Sequence, residues 1–206
     1  MIGGYYFITD SKLSKSGNIS DVKNAVSAGV KIVQYRNKFG STKELYKEAL
    51  ILKKICLGKT FFLINDRVDI AVAVDADGVH LGQDDMPYLV ARRILGNKKI
   101  IGLTVHTLKE AKNADKLGAD YLAVSPIFST STKQDAGKPV GIELIKKIKN
   151  VVSIPVIAIG GIDLSNAKNV VESTADGFCA ISAVVTKDNV KKEIEKFQKL
   201  YYAEPG

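Results

Sequence analysis

The sequence predicts an α/β fold, a single-domain TIM (β/α)8 barrel, and three observations point there. Short β-branched or aromatic runs alternate with longer runs of helical period along the 206 residues, and the series ends on a helix. A small-residue turn recurs where a helix gives way to a strand, as Ala28-Gly29-Val30, Ala76-Asp77-Gly78, Gly118-Ala119-Asp120 and Ala175-Asp176-Gly177. The positions expected at the C-terminal ends of the strands are polar, and barrels of this class carry their chemistry there. A doubly wound open sheet is the other α/β arrangement. It would carry a glycine-rich phosphate turn after its first strand, and Thr9-Asp10-Ser11 is not one.

The predicted strands are Tyr5–Thr9, Lys31–Arg36, Phe61–Asn65, Gly78–Leu81, Ile100–Val105, Tyr121–Ile127, Pro155–Gly160 and Phe178–Ile181, each rich in β-branched or aromatic residues. Helical periodicity covers 20–28, 42–57, 67–74, 86–95, 107–117, 141–150, 164–173 and 189–202. Segment 42–57 shows it well. Leu45, Ala49, Leu52 and Ile55, widened by Leu50 and Ile51, make one apolar face; Ser41 or Thr42 before Glu44 marks its start and Gly58 its end. No linker or composition break divides residues 1–206, so one domain is expected.

Composition excludes several classes. With 46% hydrophobic and 25% charged residues the chain is neither disordered nor fibrous. No apolar run approaches the ~18 residues of a membrane span, and residues 1–10 lack the pattern of a secretory signal. Cys56 and Cys179 lie in apolar surroundings, as buried thiols of a reducing, cytoplasmic compartment would. The net charge of +8 is uneven: residues 1–60 hold 11 basic and 4 acidic side chains, residues 61–97 hold 3 and 6, residues 98–149 hold 10 and 5, and residues 150–206 hold 6 and 7. The lysines are dispersed without an arginine cluster, which favours anionic small molecules over nucleic acid.

The acidic island at 61–97 faces a basic strand end. Alternation puts Gln34, Arg36 and Lys38 on one face of the second strand, and an ammonium beside a guanidinium suits a multiply charged phosphate ester. Asp66 and Asp85 come from neighbouring strand ends and would repel unless a cation lay between them. Oxygen ligands without His or Cys favour Mg2+ completed by substrate phosphates. Each aspartate alone also suits a helix cap. The segment Thr130-Ser131-Thr132-Lys133-Gln134-Asp135-Ala136-Gly137-Lys138-Pro139 has the hydroxyls and lysine of a lid that grips an anion. Gly160-Gly161 and Ile181-Ser182 follow the seventh and eighth strands, where barrels bind monophosphates through backbone N–H groups. His80 reads as packed within the barrel, and His106, before Thr107 at a helix start, as structural. Two anion sites, one with a metal, and no evident nucleophile describe group transfer with diphosphate leaving.

Taken together, Gln34-Tyr35-Arg36-Asn37-Lys38, Asn65-Asp66-Arg67-Val68-Asp69, Asp77-Gly78-Val79-His80-Leu81-Gly82-Gln83-Asp84-Asp85, Ser125-Pro126-Ile127-Phe128-Ser129-Thr130-Ser131-Thr132-Lys133 and Ala158-Ile159-Gly160-Gly161-Ile162 closely resemble the thiamine-phosphate synthase family, in order and over nearly the whole chain. The resemblance implies a Mg2+-dependent transferase of a pyrimidinylmethyl group. It joins 4-amino-2-methyl-5-(diphosphooxymethyl)pyrimidine, the hydroxymethylpyrimidine diphosphate, to 4-methyl-5-(2-phosphooxyethyl)thiazole by dissociative substitution and releases diphosphate. It further implies that Gln34, Arg36, Lys38, Asn65 and Thr104 hold the pyrimidine substrate and that Asp66 and Asp85 hold Mg2+. Thr130, Thr132, Gly161, Ile181 and Ser182 would then hold the thiazole phosphate, with Lys133 reaching the diphosphate. Arg36, Lys38 and Lys133 are the implied catalytic groups. Small-molecule substrates are the implied partners, with no nucleic acid or membrane and with room for a homo-oligomer. Two positions depart from the family's usual pattern: Thr104 stands for Ser and Ser125 for Gly. The related thiazole tautomerase and a non-catalytic phosphate binder are the alternatives. Retention of the full charged set favours the synthase.

Overall fold

The computed structural model describes residues 2–132 and 137–202. The strands are β1 (Gly4–Tyr5), β2 (Phe7–Ile8), β3 (Ile32–Tyr35), β4 (Phe61–Asn65), β5 (Gly78–Leu81), β6 (Ile100–Val105), β7 (Tyr121–Val124), β8 (Val156–Ile159) and β9 (Gly177–Cys179). All pair in parallel in the order β1-β9-β8-β7-β6-β5-β4-β3-β2. Only Tyr6 separates β1 from β2. The first half of that segment bonds β9 and the second half bonds β3, so one interrupted stave closes the sheet into an eight-staved barrel. The sequence reads this stave as one strand, Tyr5–Thr9; the interruption falls where the chain changes partner.

The helices between them are α1 (Asn18–Ser27), α2 (Thr42–Cys56), α3 (Val68–Ala73), α4 (Tyr88–Leu95), α5 (Leu108–Leu117), α6 (Ile142–Lys149), α7 (Ala167–Glu172), α8 (Ser182–Val185) and α9 (Val190–Tyr202). The four-residue α8 is too short to show a period and escapes the sequence reading. At the start of α2 the Ser41 side chain accepts from the Glu44 backbone N–H while the Glu44 carboxylate accepts from the Ser41 N–H. Gly58 follows at φ 69°, the left-handed position that ends the helix.

Alternation sorts the side chains. On β3, Val33 and Tyr35 pack outward among the helices, where Leu52, Phe62, Ile101, Phe178 and Phe197 are fully buried. Ile32 points inward with Ile8, Leu63, Ile157 and Cys179, a small apolar plug inside the barrel. Each such aliphatic or aromatic side chain contributes about 1.5–3 kcal/mol on burial.

The recurring helix-to-strand turn carries a further device at the floor of the barrel. The Asp77 carboxylate accepts from the Phe62 N–H at 2.8 Å and pairs with Lys53 of α2 at 2.9 Å. Asp120 accepts from the Ile101 N–H at 2.7 Å and pairs with Arg92 of α4 at 2.6 Å. Asp176 accepts from the Val156 N–H at 2.7 Å and pairs with Lys149 of α6 at 2.6 Å. One carboxylate thus staples a strand, the next strand and the helix that precedes them, and it does so at β5, β7 and β9.

Candidate active site

A cavity of about 210 Å3 opens at the C-terminal ends of the strands. Gln34, Arg36, Lys38, Asn65, Asp66, Asp85, Thr104, Thr130, Thr132, Gly161, Ile181 and Ser182 all line it. Lys133, with part of the expected lid, lies outside the described residues.

Inward alternation on β3 delivers Gln34, and the chain continues in register to Arg36 and Lys38. The Arg36 guanidinium pairs with Asp10 at 2.7 Å, and both side chains are largely buried. The other Asp10 oxygen accepts from the Lys12 and Leu13 N–H groups. Arg36 is therefore fixed in orientation by a carboxylate that is itself fixed, which is what a planar, directional cation needs at a phosphate site. Asp10 was not among the sequence candidates. Its place directly after the first stave at the mouth is the signal that identifies it.

Asp66 directly follows β4 with φ 61°, a left-handed conformation unusual for a residue with a side chain and worth about 1–2 kcal/mol of strain. The Asp66 carboxylate meets Lys38 Nζ at 2.5 Å, while Asp85 accepts from the Gly82 N–H at 2.6 Å. Neither carboxylate caps a helix: the N-cap positions of α3 and α4 are Arg67 and Pro87, and neither helix has a side-chain cap. Burial, and then the facing Asp66 carboxyl, pushes the Asp85 carboxyl above its ordinary range. Two partly buried carboxylates crowded together, with an ammonium against one of them, form a site built for positive charge. Among the described residues no group of three or more His, Cys, Asp or Glu is placed to hold a metal ion. The donor set is therefore two carboxylates, which fits Mg2+ bound with substrate phosphates and water.

Opposite, Gly160 and Gly161 follow β8 with φ 101° and 64°. A Cβ at Gly161 would lie 2.4 Å from the Ser129 carbonyl oxygen, so only glycine lets the two loops close on each other here. Ser182 and the hydroxyls of Thr130 and Thr132 share this wall, which bears no charged side chain among these residues.

His80 is buried as expected, with Nδ1 2.9 Å from Tyr121 Oη and Nε2 2.8 Å from Thr104 Oγ1, and its ring forms part of the cavity wall. His106 bonds the Ser125 carbonyl through Nδ1 at 2.6 Å and also lines the cavity. Gln83, not singled out in the sequence, donates to the Thr104 carbonyl at 2.5 Å. Both cysteines are buried and unpaired. Burial pushes the Cys56 thiol up to about 12 and raises Cys179, on the cavity wall, further still, so neither supplies a thiolate nucleophile.

A family model described as thiamine monophosphate synthase matches residues 5–184. The thiamine-phosphate synthase of Methanosarcina mazei is 57% identical over 193 residues, spanning 94% of this chain and 80% of that protein. That of Chloroflexus aurantiacus is 47% identical over 187 residues, spanning 90% and 86%. Among solved structures, the thiamine phosphate pyrophosphorylase of Pyrococcus furiosus superposes with a TM-score of 0.88 at 40% identity, covering 96% of this chain and 95% of that one. The barrel, the cavity at its strand ends and these likenesses agree: the chain belongs to the thiamine monophosphate synthase family.

Proposed function

We propose that this cavity condenses hydroxymethylpyrimidine diphosphate with a thiazole phosphate, giving thiamine phosphate and diphosphate. The observation that carries the reading is the division of the cavity into a charged wall, with Arg36, Lys38, Asp66 and Asp85, and an uncharged wall of glycine and hydroxyls. The charged wall suits the leaving group; the uncharged wall suits an anchor that does not react.

In this reading Gln34 and Thr104 hold the pyrimidine ring, and Asn65, Arg36 and Lys38 hold its diphosphate. Thr130, Thr132, Gly161, Ile181 and Ser182 hold the thiazole phosphate through N–H and hydroxyl donors. The bond from the pyrimidine methylene carbon to the diphosphate oxygen breaks with its electron pair leaving on oxygen, and the thiazole nitrogen supplies the pair for the new C–N bond. Arg36, oriented by Asp10, and Lys38 stabilise charge as it develops on the departing diphosphate, and Lys133 joins them in this reading. Asp66 and Asp85 would hold Mg2+, which when bound neutralises leaving-group charge. Tyr6, Ile157 and Cys179 at the cavity floor keep water from the reacting carbon. The two buried, unpaired thiols support a reducing, cytoplasmic setting.

The test is diphosphate release by purified protein given both substrates, with and without Mg2+. Release that requires both substrates and the metal is expected. No release, from protein that still binds the thiazole phosphate, would overturn the reading in favour of a tautomerase or a silent binder.

A further inference from the structure

Five side chains form one continuous hydrogen-bonded line across the barrel interior. Gln34 Nε2 donates to Tyr6 Oη at 2.7 Å, Tyr6 Oη lies 2.8 Å from Tyr121 Oη, Tyr121 Oη lies 2.9 Å from His80 Nδ1, and His80 Nε2 lies 2.8 Å from Thr104 Oγ1. Its two ends, Gln34 and Thr104, both line the cavity. The line depends on one glycine: a Cβ at Gly102 would lie 2.0 Å from Tyr121 Cζ, so the phenol crosses β6 only because that position has no side chain. Burial raises both phenols well above their ordinary range, and they remain neutral hydroxyls.

The direction of every bond follows from the first. An oxygen–oxygen contact of 2.8 Å must hold a proton. Were it Tyr121's, Tyr6 would accept twice and its own buried proton would face only the Gln34 amide nitrogen, itself a donor. The proton is therefore Tyr6's. By the same count the Tyr121 proton goes to His80 Nδ1, which leaves the imidazole proton on Nε2, donating to Thr104. The Thr104 hydroxyl proton is then available to the cavity. Among the described residues no hydrogen bond reaches the Gln34 amide oxygen, which is left to accept. Reversing either end requires reversing the whole line.

Building on the pyrimidine site proposed above, we propose that Tyr6, Tyr121 and His80 are positioning residues that lock Gln34 as an acceptor and Thr104 as a donor, so that the cavity selects a ring edge presenting an amino group beside an unprotonated ring nitrogen. The matching oxo ring, which presents a carbonyl beside a ring N–H, has the opposite pattern and meets like against like at both ends.

The line itself is tested without substrate, by 15N NMR of histidine-labelled protein at pH 7.5. The chain has two histidines, His80 and His106, so a His106→Asn spectrum assigns them. His80 is expected in the Nε2–H form. Gln34→Glu places an accept-only carboxylate among the cavity cations and should switch His80, three bonded side chains away, to Nδ1–H. Adding Tyr6→Phe to Gln34→Glu should restore the Nε2–H form. An Nδ1–H wild type, no switch in Gln34→Glu, or a switch that survives Tyr6→Phe would each overturn the relay.

Selectivity is tested by turnover of the amino- and oxo-pyrimidine diphosphates. Tyr6→Phe and Tyr121→Phe should each raise KM for the amino substrate about tenfold, the size of one lost hydrogen bond, with kcat and the thiazole phosphate KM little changed. They should also narrow the preference over the oxo ring by a similar factor. A preference unchanged in both variants would overturn the selective role. Absence of diphosphate release by the wild type, with the tautomer switch intact, would overturn the aminopyrimidine reading and leave the relay standing.

Discussion

Aspartates do different work at the two ends of this barrel. At the floor, Asp77, Asp120 and Asp176 each meet one cation and one backbone N–H, so each negative charge is balanced and each staples three elements. At the mouth, Asp66 and Asp85 crowd each other, and Lys38 meets Asp66. A residue type that is electrostatically satisfied at one end is left wanting positive charge at the other. The contrast separates carboxylates that hold the fold from those proposed to hold the metal, and it does so by partner count and not by burial alone.

Four substitutions break or sharpen that contrast. Asp85→Ala should cost about 10³-fold or more in Mg2+-dependent kcat/KM, the scale of a lost metal ligand. Its thermal midpoint should stay within about 3 °C of the parent, since ~1 kcal/mol moves a domain of this size by 2–4 °C. Diphosphate release and a thermal melt read both, and full activity would remove Asp85 from the metal site. Asp10→Ala tests the mixed case, a mouth aspartate wired like a floor one. It should lose about 3 kcal/mol of stability by stranding buried Arg36 and also raise KM for the pyrimidine diphosphate about tenfold; denaturant titration with steady-state kinetics resolves the two. Asp120→Ala should lower stability by about 2 kcal/mol, because it strands the Ile101 N–H and takes from Arg92 its carboxylate, leaving the guanidinium to Tyr88 and the Gly96 and Lys99 carbonyls, and leave both KM values alone. A changed KM there would mean that floor and mouth are not independent. Thr104→Ser keeps the hydroxyl and should change kcat/KM by less than about threefold; a large loss would show that the extra methyl shapes the pocket.

Much of this was legible in the chain because the mouth of a barrel is written in strand-end residues. Alternation on β3 was enough to put Gln34, Arg36 and Lys38 together, and the structure gathers them with Asp66, Asp85 and the glycine wall in one cavity. What escaped was whatever depends on two strands facing across the interior. Tyr6 and Tyr121 read as ordinary strand aromatics, since nothing local says that their hydroxyls meet at 2.8 Å. Asp10 is missed because its partner, Arg36, is 26 positions away. The floor staples were half visible: the turns were recognised for their small residues, while their aspartates acquire partners only once a helix packs behind them.

Those staples also mark where the chain divides cleanly. Each is closed within one stretch, from Lys53 to Asp77, from Arg92 to Asp120 and from Lys149 to Asp176. Crossover points placed between 78 and 91, or between 121 and 148, sever none of them. The barrel is in this sense a set of interchangeable cassettes. A recombinant exchanging segments with a relative at those joints inherits every staple intact, whereas one joined inside a cassette must rely on two parents agreeing about the same three residues.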